Sequence, residues 1–371
     1  MEAAALATAL FAGTSLLSAL LVPVARALAK RNGIMDEPGA RKVHSVPTPR
    51  LGGLAVCVSF VAVVLTGYLL APTLAQQPWA RASLGFPLTL LQEAPKVGTK
   101  LLAVLAGATI AFAVGLLDDM LGSRFPVVAK AAGQMLGAGL VVAAGVRTSF
   151  MPFEWMNVIV TLVWLVGITN AFNLLDNMDG LSAGVALVAS AILLINAWSL
   201  GEFFISLILV AFMGALLGFL FYNFHPASIF LGDCGSLFIG FVMGSLTLLE
   251  RYVSHASSSL FPILMPVLVL AVPLTDTATV IWIRLREGRP FYIGDDRHLS
   301  HRLISLGFSD RAAVMLIYLA TFSLGLGAVS LSDATPTQSV FIVLQSIGFV
   351  ALILILMFFE GRTRVGQAST G

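Results

Sequence analysis

A short polar segment of this chain combines side chains that bind cations with a position beside hydrocarbon. It reads NAFNLLDNMDGLSAG, spans residues 170–184 and lies between two long apolar runs. Carboxylates and amides beside a membrane span are rare unless they serve a site, because lipid offers them no hydrogen-bonding partner. The candidate residues recur every three positions: Asn170, Asn173, Asp176 and Asp179.

This spacing also predicts the local structure. Each three-residue step turns a side chain by about 60° backwards on a regular helix, so the four residues cannot share one face for long. We therefore expect the preceding span to end inside the segment. Asp179-Gly180 is the predicted turn, and the next helix is predicted to begin near Ser182.

Two adjacent carboxylates end the third apolar run, in the sequence GLLDDMLG. On a helix Asp118 and Asp119 point about 100° apart, so we do not expect them to act on the same atom. One is expected to work on a ligand while the other orients a neighbour. A helix C-terminus favours cations over carboxylates, which argues against a purely structural explanation.

A further carboxylate, Asp233, lies in FLGDCGSLFIG between Gly232 and Gly235. We expect its carboxylate to be unshielded and the neighbouring N–H groups to be open at the start of a helix. That arrangement suits a cation bridged to an anion. Glycine in membrane helices also serves close packing, so this short motif alone is only moderately specific.

Two basic clusters could hold phosphate. Lys42 and His44 lie in DEPGARKVHSVPTPRLGG, where a simple topology anchor is an equally good explanation. In DDRHLSHRL, a helix would place His298, His301 and Arg302 on one face, which suits a phosphate group. Zinc is the alternative for paired histidines, but no convincing third ligand lies nearby, and the abundant carboxylates favour magnesium elsewhere.

Two other polar residues are given structural explanations. On the same helix Ser300 is rotated about 200° from His298 and about 100° from His301, so it is expected to lie off the basic face. Asp276 lies within the ninth apolar run and is expected to be hydrogen-bonded inside the bundle.

The composition excludes an ordinary soluble protein. Of 371 residues, 58% are hydrophobic and only 11% are charged. The net charge is only +2, and the basic residues are scattered over loops rather than gathered on one face, which gives no indication of nucleic-acid binding. Cys57 and Cys234 cannot form a disulfide framework and are expected to be small packing residues.

The apolar runs predict an all-α, polytopic membrane bundle that forms a single domain over residues 1–371. Each run is predicted to be one span, with edges uncertain by several residues, since about 30 Å of hydrocarbon needs about 20 residues. The first is expected to be a retained span, since it lacks the basic start of a signal peptide. We count eleven: 3–24, 51–72, 100–117, 126–144, 155–170, 181–199, 203–222, 235–249, 260–283, 312–331 and 338–359.

Loop charge predicts the orientation of these spans. One face receives only five basic residues: Arg81, Lys96, Lys100, Arg147 and Arg251. The opposite face, which includes the C-terminus, receives the other sixteen and is predicted to be cytoplasmic. Every polar cluster described above falls on that face, which indicates one composite site.

Carboxylates and amides for a hard cation, together with basic groups beside lipid, suit phosphoryl transfer between a soluble molecule and a membrane-anchored one. A secondary transporter is the rival, because intramembrane carboxylates also mark ion pathways. Transporter sites lie near the bilayer midplane. Here the acids lie mostly at the ends of spans on one face, which favours an interfacial enzyme.

The chain resembles the polyprenyl-phosphate N-acetylhexosamine-1-phosphate transferases of glycosyltransferase family 4, the WecA, TagO and MraY relatives, over nearly its whole length. The motifs that carry the resemblance are DEPGARKVHSVPTPRLGG, GLLDDMLG, NAFNLLDNMDGLSAG, FLGDCGSLFIG and DDRHLSHRL. The PRLGG ending is more similar to the WecA and TagO branch than to the PTMGG pattern of the muramyl-peptide branch. A phospho-MurNAc-pentapeptide transferase-like enzyme is the alternative within the family.

The resemblance implies transfer of a sugar 1-phosphate, expected to be N-acetylglucosamine 1-phosphate, from a UDP-sugar to undecaprenyl or another polyprenyl phosphate. UMP is released, and a lipid-linked envelope glycan such as lipopolysaccharide or teichoic acid begins. It further implies the bacterial cytoplasmic membrane, a cytoplasmic active site, Mg²⁺ with Mn²⁺ as the alternative, and a homodimer as one possible assembly.

The resemblance also assigns roles by motif. Asp233 and Asn173 would be magnesium ligands, and Asp118 would face the lipid phosphate beside Asp119. Asp176 and Asp179 would hold the nucleotide and metal surroundings. The residues expected to bind substrate on their own chemistry are Asn170, Lys42, His44, His298, His301 and Arg302. One departure stands out: the family often reads HLHH where this chain has Ser300 in place of the middle histidine.

Overall fold

The computed structural model describes residues 2–37, 46–77, 88–252, 260–290 and 297–368. Within them the fold is helical apart from one small antiparallel hairpin, β1 (Met35–Asp36) with β2 (Thr48–Pro49). The helices are α1 Glu2–Asn32, α2 Gly53–Gln76, α3 Leu88–Leu121, α4 Val127–Ala143, α5 Glu154–Leu175, α6 Leu181–Ser199, α7 Phe203–Asn223, α8 Gly232–Leu249, α9 Met265–Val269, α10 Ala271–Arg286, α11 Leu299–Ser305, α12 Asp310–Val329 and α13 Pro336–Ala368.

The predicted all-α polytopic bundle is confirmed. Nine helices in the described ranges are long and apolar enough to cross a membrane, and the pair Phe261–Val269 with Ala271–Arg286, bent by 68°, makes a tenth if it is one broken span. The remaining predicted span is α4, whose 17 residues reach about 25 Å, at the short end of the range for a span. The predicted count of eleven therefore depends on this bent pair and on α4.

The contacts of α4 favour a full crossing. Near its start, Lys130 hydrogen-bonds to Asn173 in the last turn of α5. Beyond its other end, the Thr148 N–H donates to the Thr161 hydroxyl in the first half of α5, at 3.0 Å. The two helices therefore run antiparallel along one another, as two successive spans must.

The bend between α9 and α10 has an identifiable cause. Leu270 separates the two helices with φ −99° and ψ 18°, outside helical geometry. Pro273 lies three residues later and has no N–H to donate to the carbonyl of Val269, so the helix cannot continue through this point.

At the centre of the bundle α8 is buried over nearly its whole length and packs against α2, α3 and α5. Close approach to its N-terminus requires glycine. A Cβ on Gly115 of α3 would lie 2.3 Å from the Asp233 carbonyl oxygen, and one on Gly53 of α2 would lie 2.2 Å from Gly235. These glycines let α2 and α3 bring their polar ends to the first turn of α8.

The connection between α5 and α6 has the predicted form. The span ends at Leu175, inside the polar segment, and α6 begins at Leu181. Gly180 makes the turn with φ +75°, a conformation that side chains disfavour. Its N–H donates to Asn223 Oδ1 at 3.0 Å, and its carbonyl accepts from the Tyr318 hydroxyl at 2.6 Å.

The chain between β2 and α2 is anchored on the loop before α8. The N–H groups of Gly52 and Gly53 donate to the carbonyls of Phe230 and Leu231, at 2.9 and 2.8 Å. The Phe230 N–H donates back to the Pro49 carbonyl at 2.8 Å. This pairing brings the residue between them, Arg50, to the N-terminus of α8.

Candidate active site

The ammonium group of Lys130 lies at the centre of the polar cluster. Its Nζ atom is 2.7 Å from Asp118 Oδ2, 2.6 Å from Asp233 Oδ2 and 3.2 Å from Asn173 Oδ1. The four side chains come from the ends of α3, α4, α5 and α8. The structure therefore brings three of the predicted site residues to one point, around a lysine that the sequence interpretation did not select.

Asp119 faces away from that point and caps α8. Its two carboxylate oxygens accept from the N–H groups of Asp233 and Cys234 at 3.0 and 2.9 Å. The two adjacent aspartates thus contact different groups, as predicted. The expectation that the N–H groups beside Asp233 are open to an anion is wrong, because Asp119 already satisfies them.

Arg50 connects Asp119 with Asp233. Its Nη2 atom is 3.1 Å from Asp119 Oδ1 and 3.6 Å from Asp233 Oδ1, and its Nη1 atom is 3.4 Å from Asp36 Oδ1. Asp233 therefore lies between two cations, Arg50 on one oxygen and Lys130 on the other. This arrangement offsets the repulsion between carboxylates that share a partly buried space.

Amide groups complete the α5 side of the cluster. The Asn173 amide donates to Ser236 Oγ at 2.9 Å, which orients its Oδ1 atom towards Lys130. Asn170 lies one turn earlier and exchanges hydrogen bonds with Gln134, the shorter of 2.6 Å. The Asn170 side chain thus joins α4 to α5, and its role in substrate binding stays a prediction.

Asp176 and Asp179 have different surroundings. Removal from water raises the pKa of the Asp176 carboxyl well above its ordinary value, and the nearby Asp233 carboxylate adds to this effect while Arg50 opposes it. Asp179 accepts from His225 Nδ1 and from the Ala227 N–H, both at 3.0 Å. Asp179 therefore holds the loop after α7 in place, and its contact with a nucleotide stays a prediction.

His298 is held by the buried Asp276, whose participation in hydrogen bonds inside the bundle is confirmed. Asp276 accepts from His298 Nδ1 and from the Leu299 N–H, each at 2.7 Å. Because Nδ1 is taken, only Nε2 of the ring can serve a ligand. The carboxylate also satisfies an N–H group in the first turn of α11.

The predicted helical stripe through His298 is wrong. α11 begins at Leu299, and His298 precedes it in an extended conformation with φ −70° and ψ 156°. The rings of His298 and His301 are 6.5 Å apart, and Arg302 Nε donates to the Arg297 carbonyl at 3.1 Å. The helix does not include His298, because Asp276 accepts from the Leu299 N–H and from the His298 ring at the point where α11 begins.

Two predicted phosphate ligands, Lys42 and His44, lie outside the described residues, between β1 and β2.

Cys57 and Cys234 are both buried, as expected of packing residues.

The donor set of this cluster fits a hard divalent cation. Asp118, Asp233 and Asn173 offer oxygen atoms from three helices that converge on one positive charge, and oxygen ligands are those that Mg²⁺ prefers. Within the described ranges no three His, Cys, Asp or Glu side chains form a ready metal cluster. The carboxylates are instead neutralised by Lys130 and Arg50, so Asp233 and Asn173 as metal ligands stay a prediction.

Sequence reasoning missed Lys130 and Arg50. Lys130 is the one charged residue within the apolar run 126–144. An ionisable residue inside a span is a functional candidate by default, so the signal was present. Arg50 belongs to the PRLGG ending, which was used only to compare family branches.

Residues 101–250 match the model of the glycosyl transferase family 4. A "probable undecaprenyl-phosphate N-acetylglucosaminyl 1-phosphate transferase" of Bacillus subtilis (strain 168) is 35% identical over 351 residues, covering 91% of this chain and 89% of that protein. The chain belongs to glycosyl transferase family 4. The resemblance drawn from its motifs is confirmed.

Two further relatives are similar over most of the chain. A decaprenyl-phosphate N-acetylglucosaminephosphotransferase of Mycolicibacterium smegmatis is 34% identical over 359 residues, covering 90% of this chain and 83% of the relative. An undecaprenyl-phosphate alpha-N-acetylglucosaminyl 1-phosphate transferase of Escherichia coli (strain K12) is 27% identical over 311 residues, covering 82% and 78%. The family 4 match includes Lys130 and its three oxygen partners, whereas Arg50 and His298 lie outside it.

We predict that Asp119→Ala destabilises the first turn of α8. The substitution leaves the N–H groups of Asp233 and Cys234 without an acceptor, and hydrogen bonds to a charged group contribute about 1.5–3 kcal/mol each. The midpoint of thermal unfolding in detergent should fall. Cys234, buried in the native protein, should become reactive towards a membrane-permeant maleimide in a Cys57→Ala background.

Glu154→Gln is the matched control, because it removes an exposed carboxylate that pairs with Arg147 at the surface. Exposed ion pairs contribute little, so this variant should unfold like the wild type. An unchanged midpoint and an unreactive Cys234 in Asp119→Ala would show that Asp119 does not hold α8.

Proposed function

We propose that this chain transfers N-acetylglucosamine 1-phosphate from UDP-N-acetylglucosamine to a polyprenyl phosphate and releases UMP. The observation that carries the proposal is the convergence of Asp118, Asp233 and Asn173 on Lys130 at the ends of membrane helices. Such a site can meet a charged soluble donor and a lipid-borne phosphate at the same time.

The residues of the site supply what phosphoryl transfer requires. The reaction needs positioned charge on the phosphoryl oxygens and little covalent help from the protein. Lys130 and Arg50 provide fixed positive charge, and His298 can donate from Nε2 when protonated there. Asp233 and Asn173 would hold Mg²⁺, which when bound neutralises charge on the transferring phosphate.

The bond changes of the proposed step balance without a general base. A phosphate monoester has a second pKa near 6, so the lipid phosphate is mostly dianionic at neutral pH. Its oxygen attacks the sugar-bearing phosphorus and forms the new P–O bond. The bond from that phosphorus to the bridging oxygen breaks, and the oxygen leaves on UMP. Asp118 then serves to hold Lys130, at 2.7 Å, rather than to remove a proton.

A two-step route is the alternative chemistry. There Asp118 would attack the donor and form a phosphoaspartyl intermediate that the lipid phosphate later resolves. The engagement of the Asp118 carboxylate with Lys130 favours direct attack, because the ion pair makes the carboxylate a weaker nucleophile.

The names of the relatives support the choice of substrates. The three described above are named as transferases of N-acetylglucosamine phosphate to undecaprenyl or decaprenyl phosphate. The PRLGG ending agrees with that branch and not with the muramyl-peptide branch. The transporter alternative is disfavoured, since the charged side chains gather at the ends of α3, α5 and α8 rather than at their centres.

The proposed orientation places the site and the C-terminus on the cytoplasmic face of the bacterial inner membrane. It is supported by the excess of sixteen over five basic residues between the two faces. A cytoplasmic site would have direct access to a nucleotide sugar. A homodimer remains compatible with this orientation.

We predict that membranes containing the protein release radioactive UMP from labelled UDP-N-acetylglucosamine only when polyprenyl phosphate is present. Asp233→Asn should lower kcat by at least about a hundredfold, since loss of several kcal/mol of charge stabilisation costs tenfold for each 1.36 kcal/mol. The loss should persist at saturating magnesium.

The control is Asp333→Asn, which changes an exposed carboxylate at the end of the turn after α12 and should leave turnover unchanged. A panel of UDP-sugars in the same assay identifies the donor. Release of many equivalents of UMP per enzyme without lipid, or near-normal turnover of Asp233→Asn, would contradict the proposal. A phosphoaspartyl adduct trapped on Asp118 without lipid would replace direct attack by the two-step route.

A separate prediction concerns orientation. A reporter fused after Arg364 should be active on the cytoplasmic side, and one inserted near Gln77 on the opposite side, because nine of the eleven predicted spans, an odd number, lie between the two positions. Protease protection of right-side-out vesicles provides the independent measurement. Reporters on the same side would exclude the proposed arrangement of spans.

A further inference from the structure

A serine in α11 is joined to the loop that follows α5. The Ser300 hydroxyl donates to Asn177 Oδ1 at 2.5 Å, and the serine is only 1% exposed. The Asn177 amide donates in turn to the Leu174 carbonyl at 2.9 Å, in the last turn of α5. The two side chains form a bridge between segments 123 residues apart in sequence.

The Asn177 end of this bridge lies within the segment that carries the site. Asn173 is one turn earlier and contacts Lys130, and Asp176 immediately precedes Asn177. The helix ends at Leu175, so Asn177 lies in the connection that turns at Gly180. Asn177 therefore ties the connection after α5 to α11.

The Ser300 end lies two residues after His298. Asp276 binds both His298 Nδ1 and the Leu299 N–H, so one carboxylate holds the histidine and the first turn of α11. α11 packs against α12 and α13. The bridge from Ser300 therefore relates the position of His298 to that of the loop with Asp176.

We propose that Ser300 is a positioning residue, which fixes His298 and α11 relative to the Asn173–Asp176 segment through its hydrogen bond to Asn177. Its kinetic consequence rests on the proposed function. In phosphoryl transfer most of the catalysis comes from placing charged groups, so a small displacement between two groups lowers the rate.

The rival interpretation is a small side chain that merely fills space. At 1% exposure, Ser300 has little room for a larger side chain, so packing alone would also select serine or alanine. The two interpretations differ over the hydroxyl group. Positioning requires it, whereas packing requires only the volume.

The experiment compares Ser300→Ala, Asn177→Ala, the double variant and Ser300→Thr. Each single alanine variant should lower kcat for UMP release by about tenfold with the KM for UDP-N-acetylglucosamine changed by less than about twofold, because the lost bond positions groups without touching substrate. The double variant should be no slower than the slower single variant. Ser300→Thr retains the hydroxyl but adds a methyl group at a buried position, so it should be slower than the wild type and faster than Ser300→Ala.

Ser305→Ala is the matched control. Ser305 lies on the same helix, is exposed, and donates only to the Arg302 carbonyl of its own helix. This variant should keep the wild-type kcat.

A second readout needs no substrate. Hydrogen–deuterium exchange of the amides in residues 176–184 should be faster in Ser300→Ala than in the wild type and unchanged in Ser305→Ala. If the wild type released no UMP, the proposed function would fail, while the exchange measurement would still decide whether Ser300 holds this loop.

Three results would overturn the proposal. The first is a wild-type kcat and wild-type exchange in Ser300→Ala. The second is a double variant whose loss equals the product of the single losses, which would show that the two residues act separately. The third is a loss confined to KM, which would make Ser300 a substrate contact.

Discussion

The structure depends on the neutralisation of carboxylates that are gathered beside hydrocarbon. Asp118 and Asp233 contact the same lysine, and Asp119 and Asp233 contact the same arginine. Uncompensated charges in such a place raise the free energy of the folded protein. Lys130 separates Asp118 from Asp233, and Arg50 separates Asp233 from Asp119. The two cations therefore permit an acidic site to exist before any substrate or metal arrives.

This constraint explains features of the scaffold. The cations reach the acids only because α2, α3 and α8 approach closely, and Gly53, Gly115 and Gly235 permit that approach. Asp119 satisfies the start of α8 and so keeps Asp233 in a fixed direction. Asp276 has the corresponding role at α11, where its carboxylate accepts from His298 Nδ1 and from the Leu299 N–H of the first turn. In both places a buried carboxylate accepts hydrogen bonds at the start of a helix and fixes the direction of a residue there.

Local sequence features predicted much of this arrangement. Apolar length predicted the helices, because each span must cover the same thickness of hydrocarbon. The turn at Gly180 and the burial of Asp276 followed from local chemistry. The pairing of Lys130 with Asp233 could not be predicted in this way, since the two residues are 103 positions apart and meet only through tertiary packing. The start of α11 after His298 could not be predicted locally either, because the residue that binds its first turn, Asp276, belongs to the preceding helix α10.

The central claim, that Lys130 makes the acidic cluster tolerable, is tested most directly by the unfolding of Lys130→Met, Asp233→Asn and the double variant. Lys130→Met alone leaves Asp118 and Asp233 without the shared ammonium, so it should be the least stable of the three. Removal of the Asp233 charge as well should restore stability, with a coupling energy of roughly 1–3 kcal/mol. Additive losses, with the double variant the least stable, would contradict the account.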